Sequence, residues 1–146
     1  MAKISLSARQ LPGLSLTQLL KATPPFIKNN AEEVIVRSLA EKRTRGGLPG
    51  VKAKALSVTN KHKTEYLITV VGKDVDKRLS ERGQKLVCHC SCDFFWSHCE
   101  YALTHWAAST IKYSNGEPAH VTNPSNVPLV CKHLVRVLRY IKDHNI

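Results

Sequence analysis

The chain has 146 residues, 42% of them hydrophobic, which is enough for one compact domain with a real core and too little for two independent ones. Its 22 Lys and Arg outweigh 11 Asp and Glu to give a formal net charge of +11, an excess that repels itself unless polyanion or acidic protein surface is nearby. No run of about 18 apolar residues occurs, and Pro12-Gly13 interrupts the N-terminal segment before a signal-peptide core forms, so a membrane span and a secreted protein are disfavoured.

Residues 1 to 31 lack acids and carry Lys3, Arg9, Lys21 and Lys28, which superficially suits a transit peptide, but the segment reads as a folded element. Ser15 with Gln18, and Asn30 with Glu33, each place a capping oxygen three residues before a side chain that can reach back. With apolar spacing over Ala31, Val34, Ile35 and Leu39 and a stop at Gly46-Gly47, these signals predict helices near 15–22 and 31–43.

Val51 to Thr59 and Thr64 to Val71 are β-branched and alternating, and they flank the polar turn Asn60-Lys61-His62-Lys63, the pattern of a hairpin. Lys52, Lys54, Lys61 and Lys63 then decorate one exposed ribbon. Residues 73–83 read as a charged connection, and Gln84 to Cys92 alternates again as a third strand whose Cys88, Cys90 and Cys92 share one face.

Beyond Asp93, Phe95, Cys99, Ala102 and Trp106 recur at four, three and four residues, predicting an amphipathic helix to about Ile111. Residues 114–128, with Asn115-Gly116, Pro118, Asn123-Pro124 and Pro128, read as a long loop, a feature that in compact domains is usually functional or held by something. A final helix runs from about Val130 to Lys142 with Leu134, Val137, Leu138 and Ile141 inward. The expected fold is α+β: N-terminal helices on a three-stranded antiparallel sheet, with a zinc ion joining its last strand to the C-terminal helix. One domain covers 1–146, with a helical part over 1–50 and a metal-binding core over 51–146 that carries an insert at 93–130.

Five cysteines, three of them in Cys88-His89-Cys90-Ser91-Cys92, suit metal ligation in a reducing compartment better than a disulfide framework. Zinc takes a tetrahedron of thiolate and imidazole donors, and Cys90 and Cys92 on one strand face can aim two thiolates at one point. Cys131 and His133 lie at a helix start, where unpaired N–H groups and the dipole favour thiolate over thiol. A lone Cys-x-Cys is more often a pair of buried small residues; paired with Cys-Lys-His at a helix start, it points to Zn²⁺. Cys88 remains an alternative to Cys90 or Cys92, and Cys99 sits one helical turn beyond the strand. His89, His98, His105 and His120 have no second ligand at useful spacing and read as surface or hydrogen-bonded histidines.

Val87, Cys90-Ser91-Cys92-Asp93-Phe94-Phe95 and Cys131-Lys132-His133-Leu134 followed by Val137-Leu138 resemble the SWIM-type zinc finger, with its Cys-x-Cys to Cys-x-His signature. The resemblance covers roughly residues 64–142 and implies strands leading into the first ligand pair and a helix carrying the second. It also favours Cys90 and Cys92, because Phe95 stands three residues after the second cysteine as in the family. The 38 residues between Cys92 and Cys131 exceed the family's usual connection. Tyr101-Ala102-Leu103, Ile111 to Pro118 and Thr122-Asn123-Pro124 within that insert resemble the version found in small proteins of tailed bacteriophages, which implies a viral origin.

Four protein ligands leave no position for water, and no His-x-Glu pair of the zinc-deaminase kind occurs, so an enzyme is not expected. Gly46-Gly47 alone is too weak for a phosphate loop, and no small-molecule substrate is expected. Residues 37–85 hold 13 Lys or Arg and five acids, which makes this segment the electrostatic face. Candidate nucleic-acid contacts are Arg43, Arg45, Lys52, Lys54, Lys61 and Lys63, together with Lys132, Arg136 and Arg139 along the last helix, whose plainer reading is a solvated face. Aromatic residues make up 6% and lie mostly on inward faces, so duplex backbone is favoured over single-strand stacking. Two functions follow: a nucleic-acid-binding module, or a virion structural or assembly protein that docks neighbouring virion proteins. Either is expected in the cytoplasm, that of the host if viral, or in the virion.

Overall fold

The computed structural model describes residues 14–57, 64–99, 102, 103, 108 and 127–146. Helix α1 (Leu16–Ala22) is closed by the reciprocal cap read from sequence: Ser15 Oγ accepts from the Gln18 N–H at 3.2 Å, and Gln18 Oε1 accepts from the Ser15 N–H at 2.9 Å. It buries Leu16 and Leu19 and gives way at Thr23-Pro24 to a short helix, α2 (Pro25–Asn30), whose Pro25 occupies the first position, where no N–H is needed.

The helix expected over 31–43 is not formed. Ala31–Glu33 make one 3₁₀ turn, and Val34–Glu41 are strand β1. Asn30 is itself helical, with φ −67° and ψ −18°, and makes no side-chain cap. Val34-Ile35-Val36 are three β-branched residues in succession, which lose side-chain freedom in a helix and pack well on a pleated surface. Glu33 does not reach back to Asn30; it accepts from Ser57 Oγ and Lys132 Nζ. Arg37, Lys42, Arg43 and Arg45 therefore sit on and after a strand, not at a helix end.

The sheet accordingly has four strands in place of the expected three. β1, β2 (Gly50–Ser57), β3 (Tyr66–Gly72) and β4 (Leu86–Cys90) follow in spatial order, each antiparallel to the next, with a bulge in β1 at Arg37. The α+β class and the β2–β3 hairpin agree with the sequence reading, whereas the turn with Lys61 and Lys63 lies outside the described residues. Gly50 cannot carry a side chain here: a Cβ would meet the Lys42 carbonyl oxygen at 2.8 Å.

Val51, Ala53, Ala55, Ile68, Val70, Leu86 and Cys88 form the inner face of the sheet, and helix α3 (Lys132–Asp143) packs across all four strands there. Leu134, Val135, Val137, Leu138 and Ile141 are buried against it, each worth about 1.5–3 kcal/mol of transfer free energy. The far edge of β4 is closed by backbone hydrogen bonds, Leu86 N–H to Leu14 O and Cys88 N–H to Ala108 O, both 2.7 Å. The 73–83 connection is pinned by the buried Gln84 amide, which accepts from the Asp74 N–H and donates to the Asp74 and Lys77 carbonyls.

After β4, Asp93 and Phe94 lead into a π-helical turn, Phe95–Cys99. Of the predicted continuation toward Ile111, Ala102, Leu103 and Ala108 are described and buried, while Trp106, His105, His120 and most of the 114–128 loop lie outside the described residues. Among the described residues, no helix is long and apolar enough to cross a membrane.

Candidate metal centre

Alternation along β4 turns Cys88 and Cys90 inward and leaves Val87 and His89 half-buried. The strand then stops, because Ser91 is held beside β3: its N–H donates to Leu67 O at 3.0 Å, and its Oγ accepts from the Leu67 N–H at 2.9 Å. Cys92, beyond the end of the strand, is buried all the same, and its Sγ accepts from the N–H of the fully buried Phe95 at 3.4 Å. Phe95, read from sequence as a spacing marker, is thus the residue whose backbone addresses the second thiol.

From the other side, Cys131 is the residue preceding the first turn of α3, with φ −75° and ψ 167°, and its carbonyl accepts from the Val135 N–H at 2.9 Å. Thr23 fixes the approach: its Oγ1 donates to Leu19 O at 2.9 Å and accepts from the Val130 N–H at 3.1 Å, 107 residues away. His133 follows on the first turn, its ring against Tyr66 with centroids 4.7 Å apart and its Nδ1 3.9 Å from Cys90 Sγ. Its Nε2 is buried with no hydrogen-bond partner among the described residues.

Cys90, Cys92, Cys131 and His133 are each at most 4% exposed, and one donor atom from each lies within 4.8 Å of all the others. A tetrahedron with metal–sulfur bonds of ~2.3 Å has edges of roughly 3.8 Å, so the four donors stand near coordination distance of a common centre. Hydrogen bonds from Cys131 and Cys90 hold the Cys92 thiol well below its ordinary range, while burial pushes Cys131 well above it. The four donors are crowded together away from water, where negative charge on the sulfurs needs a cation to balance it. The cluster fits a metal ion.

The alternatives left open by the sequence lie outside the cluster. Cys88 is wholly buried, and burial pushes its thiol up to about 12. Cys99 is raised well above its ordinary value, first by burial and then by the sulfurs of Cys92 and Cys90. All five cysteines are unpaired by disulfides. His89 meets the Phe95 ring edge-on, with centroids 5.2 Å apart, and His98 stacks on Phe94 at 4.1 Å; neither joins the cluster.

The candidate basic contacts divide. Arg43, Arg45, Lys52 and Lys54 are exposed around β2 and the turn before it. On α3, Lys132 is half-buried and bonds Glu33 and Ser57, and Arg139 donates to Lys28 O at 3.1 Å, leaving Arg136 exposed between them. Sequence reasoning missed the Lys132–Glu33–Ser57 group because its members lie on three separated elements, and Glu33 had been read as a cap. The chain matches no protein-family model, no curated protein and no solved structure.

Proposed function

We propose that the chain is a non-catalytic, SWIM-type zinc-binding module that holds nucleic acid, duplex DNA in particular, on a basic surface. The burial of Cys90, Cys92, Cys131 and His133 carries this reading: four protein donors with at most 4% exposure match a closed structural site. Three soft thiolates and one imidazole favour zinc over the hard cations that prefer carboxylates and water. A strand that ends on Cys90 with Cys92 just beyond it, and a helix start supplying Cys-x-His, support the SWIM-type assignment. With the ligand set enclosed, the chemistry left to the surface is its net charge of +11, which suits a polyanion.

The test uses purified, tag-free protein. Elemental analysis is expected to give one zinc per chain, and affinity for a labelled duplex is expected to fall at least tenfold between about 50 and 200 mM salt. Absence of stoichiometric metal rejects the first half of the reading, and absence of duplex binding at the lower salt rejects the second.

A second reading, a bacteriophage head, neck or tail component with a purely structural zinc, is favoured by a cleft of about 320 Å³ beside the cluster. Phe26, Tyr66 and Phe94 line it, with Phe26 61% exposed, an apolar surface of the kind that neighbouring subunits cover. Recovery of the chain in intact particles at fixed stoichiometry distinguishes this reading.

A further inference from the structure

The helix that closes the inner face of the sheet leaves Ser38, Ala40, Lys52, Lys54 and Leu67 exposed on the outer face, and this is where exposed cations collect. Along β2 the burial alternates so that Lys52 and Lys54 point outward, about 6.8 Å apart along the strand. Register sets Lys54 between Ser38 of β1 and Leu67 of β3, and Lys52 between Ala40 and Thr69. Ser38, Ala40, Lys52, Lys54, Leu67 and Thr69 line one shallow groove of about 330 Å³. A second groove, of about 440 Å³, shares Lys52 and Thr69 with it and continues to Lys42, Arg43 and Arg45 at the β1–β2 turn.

The two grooves form one path with five cations, and among the described residues no acidic side chain lines either of them. Glu41, the nearest acid in sequence, lines with Asp76 an adjoining cavity that also takes in Lys42 and Arg43, so the acids border the path at its turn end and not along Lys52 and Lys54. Among the described residues, those between the cations are small, hydroxylated or aliphatic and offer no aromatic platform on which an unpaired base can stack. The α3 ridge is a poorer candidate, since Lys132 and Arg139 are half-buried and engaged within the fold, whereas Arg43, which also donates to a carbonyl, that of Gly47, stays exposed.

We infer that the outer face of the sheet, with Lys42, Arg43, Arg45, Lys52 and Lys54, is the surface that seats the phosphate backbone of duplex DNA, without base reading. The inference rests on the proposed nucleic-acid function and names the face that carries it. If all five cations neutralise phosphates, the logarithm of affinity falls with the logarithm of salt at a slope of about −4.5, roughly a 500-fold loss between 50 and 200 mM.

The experiment measures binding of the metal-loaded full chain to a labelled mixed-sequence duplex across salt, by fluorescence anisotropy. The Lys52→Gln/Lys54→Gln variant is expected to bind roughly 60-fold more weakly at 100 mM salt and to lessen the slope by about 1.8. The Lys21→Gln/Lys142→Gln variant, altered at exposed lysines of α1 and α3, is expected to bind within twofold of wild type. Melting temperature and zinc content of each variant confirm that the fold is intact. A second pair, Arg43→Gln/Arg45→Gln, repeats the test away from the strands.

Duplex binding by wild type that the sheet variants leave unchanged overturns this inference while leaving the nucleic-acid reading standing. Failure of wild type to bind duplex at 50 mM salt overturns that reading itself. Tighter binding to a single strand, or to polyglutamate, than to duplex overturns the choice of partner.

Discussion

Cys90 Sγ and His133 Nδ1 lie 3.9 Å apart although 43 residues separate them in the chain. The first is placed by alternation along β4 and the second by the first turn of α3, so their meeting ties the sheet to the helix that covers it. A metal ion held at that point would strengthen contacts that the apolar core already makes.

Cys131→Ser is expected to abolish metal retention and to lower stability by about 3 kcal/mol, a fall in melting temperature of roughly 10 °C for a chain of this length. Cys99→Ala, which alters a buried thiol outside the ligand set, is expected to keep full zinc content and melt only slightly lower. Elemental analysis and differential scanning calorimetry check both. Equal zinc loss in the two variants contradicts the ligand assignment.

Stripping wild type with a strong chelator is expected to lower its melting temperature by about as much as Cys131→Ser does, because metal binding free energy is folding free energy. The same treatment is expected to leave the Cys131→Ser variant unmoved. A further fall in that variant on chelation indicates a second metal site.

Lys132 and Glu33 are each about one-quarter exposed and share Ser57 as a third partner. Glu33→Gln and Lys132→Met are each expected to destabilise by about 1 kcal/mol, with the double variant well short of the sum. Urea melts measure this. Neither change is expected to alter the salt slope of duplex binding, and a slope lessened by Lys132→Met places that residue on the binding face after all.

Gly50→Ala drives a Cβ to 2.8 Å from the Lys42 carbonyl oxygen, a backbone atom fixed by the β1–β2 hairpin. A loss of at least about 2 kcal/mol is expected, of the size seen when backbone must shift to admit a side chain. Gly46→Ala, where a Cβ meets only Thr44 Oγ1 at 3.9 Å, is the control and is expected to change stability by less than about 0.5 kcal/mol.

The meeting of Cys90, Cys92, Cys131 and His133 was legible because each half is written in local signals. Period-two alternation over Gln84 to Cys92 aligned Cys90 with the core, and the apolar spacing of Leu134, Val137, Leu138 and Ile141 placed Cys131 and His133 at a helix start. The Ser15–Gln18 cap and the β2–β3 hairpin were legible for the same reason. β1 was not, since Asn30 and Glu33 imitate a capping pair and Val34, Ile35 and Leu39 satisfy helical spacing as well as strand burial. What decided it is long-range: β2 offers Ala55, Ala53 and Val51 as register partners, and Ser57 and Lys132 engage Glu33. The split of the basic residues was likewise invisible, because only folding shows that Lys132 and Arg139 are occupied while Lys52 and Lys54 are free of the core.

X-ray absorption at the zinc edge on purified, tag-free protein tests the central claim most directly. The expected spectrum has one zinc per chain with three sulfurs near ~2.3 Å and one nitrogen near ~2.0 Å. Protein without stoichiometric zinc, or a shell of four sulfurs that brings in Cys88 or Cys99 and leaves out His133, contradicts it.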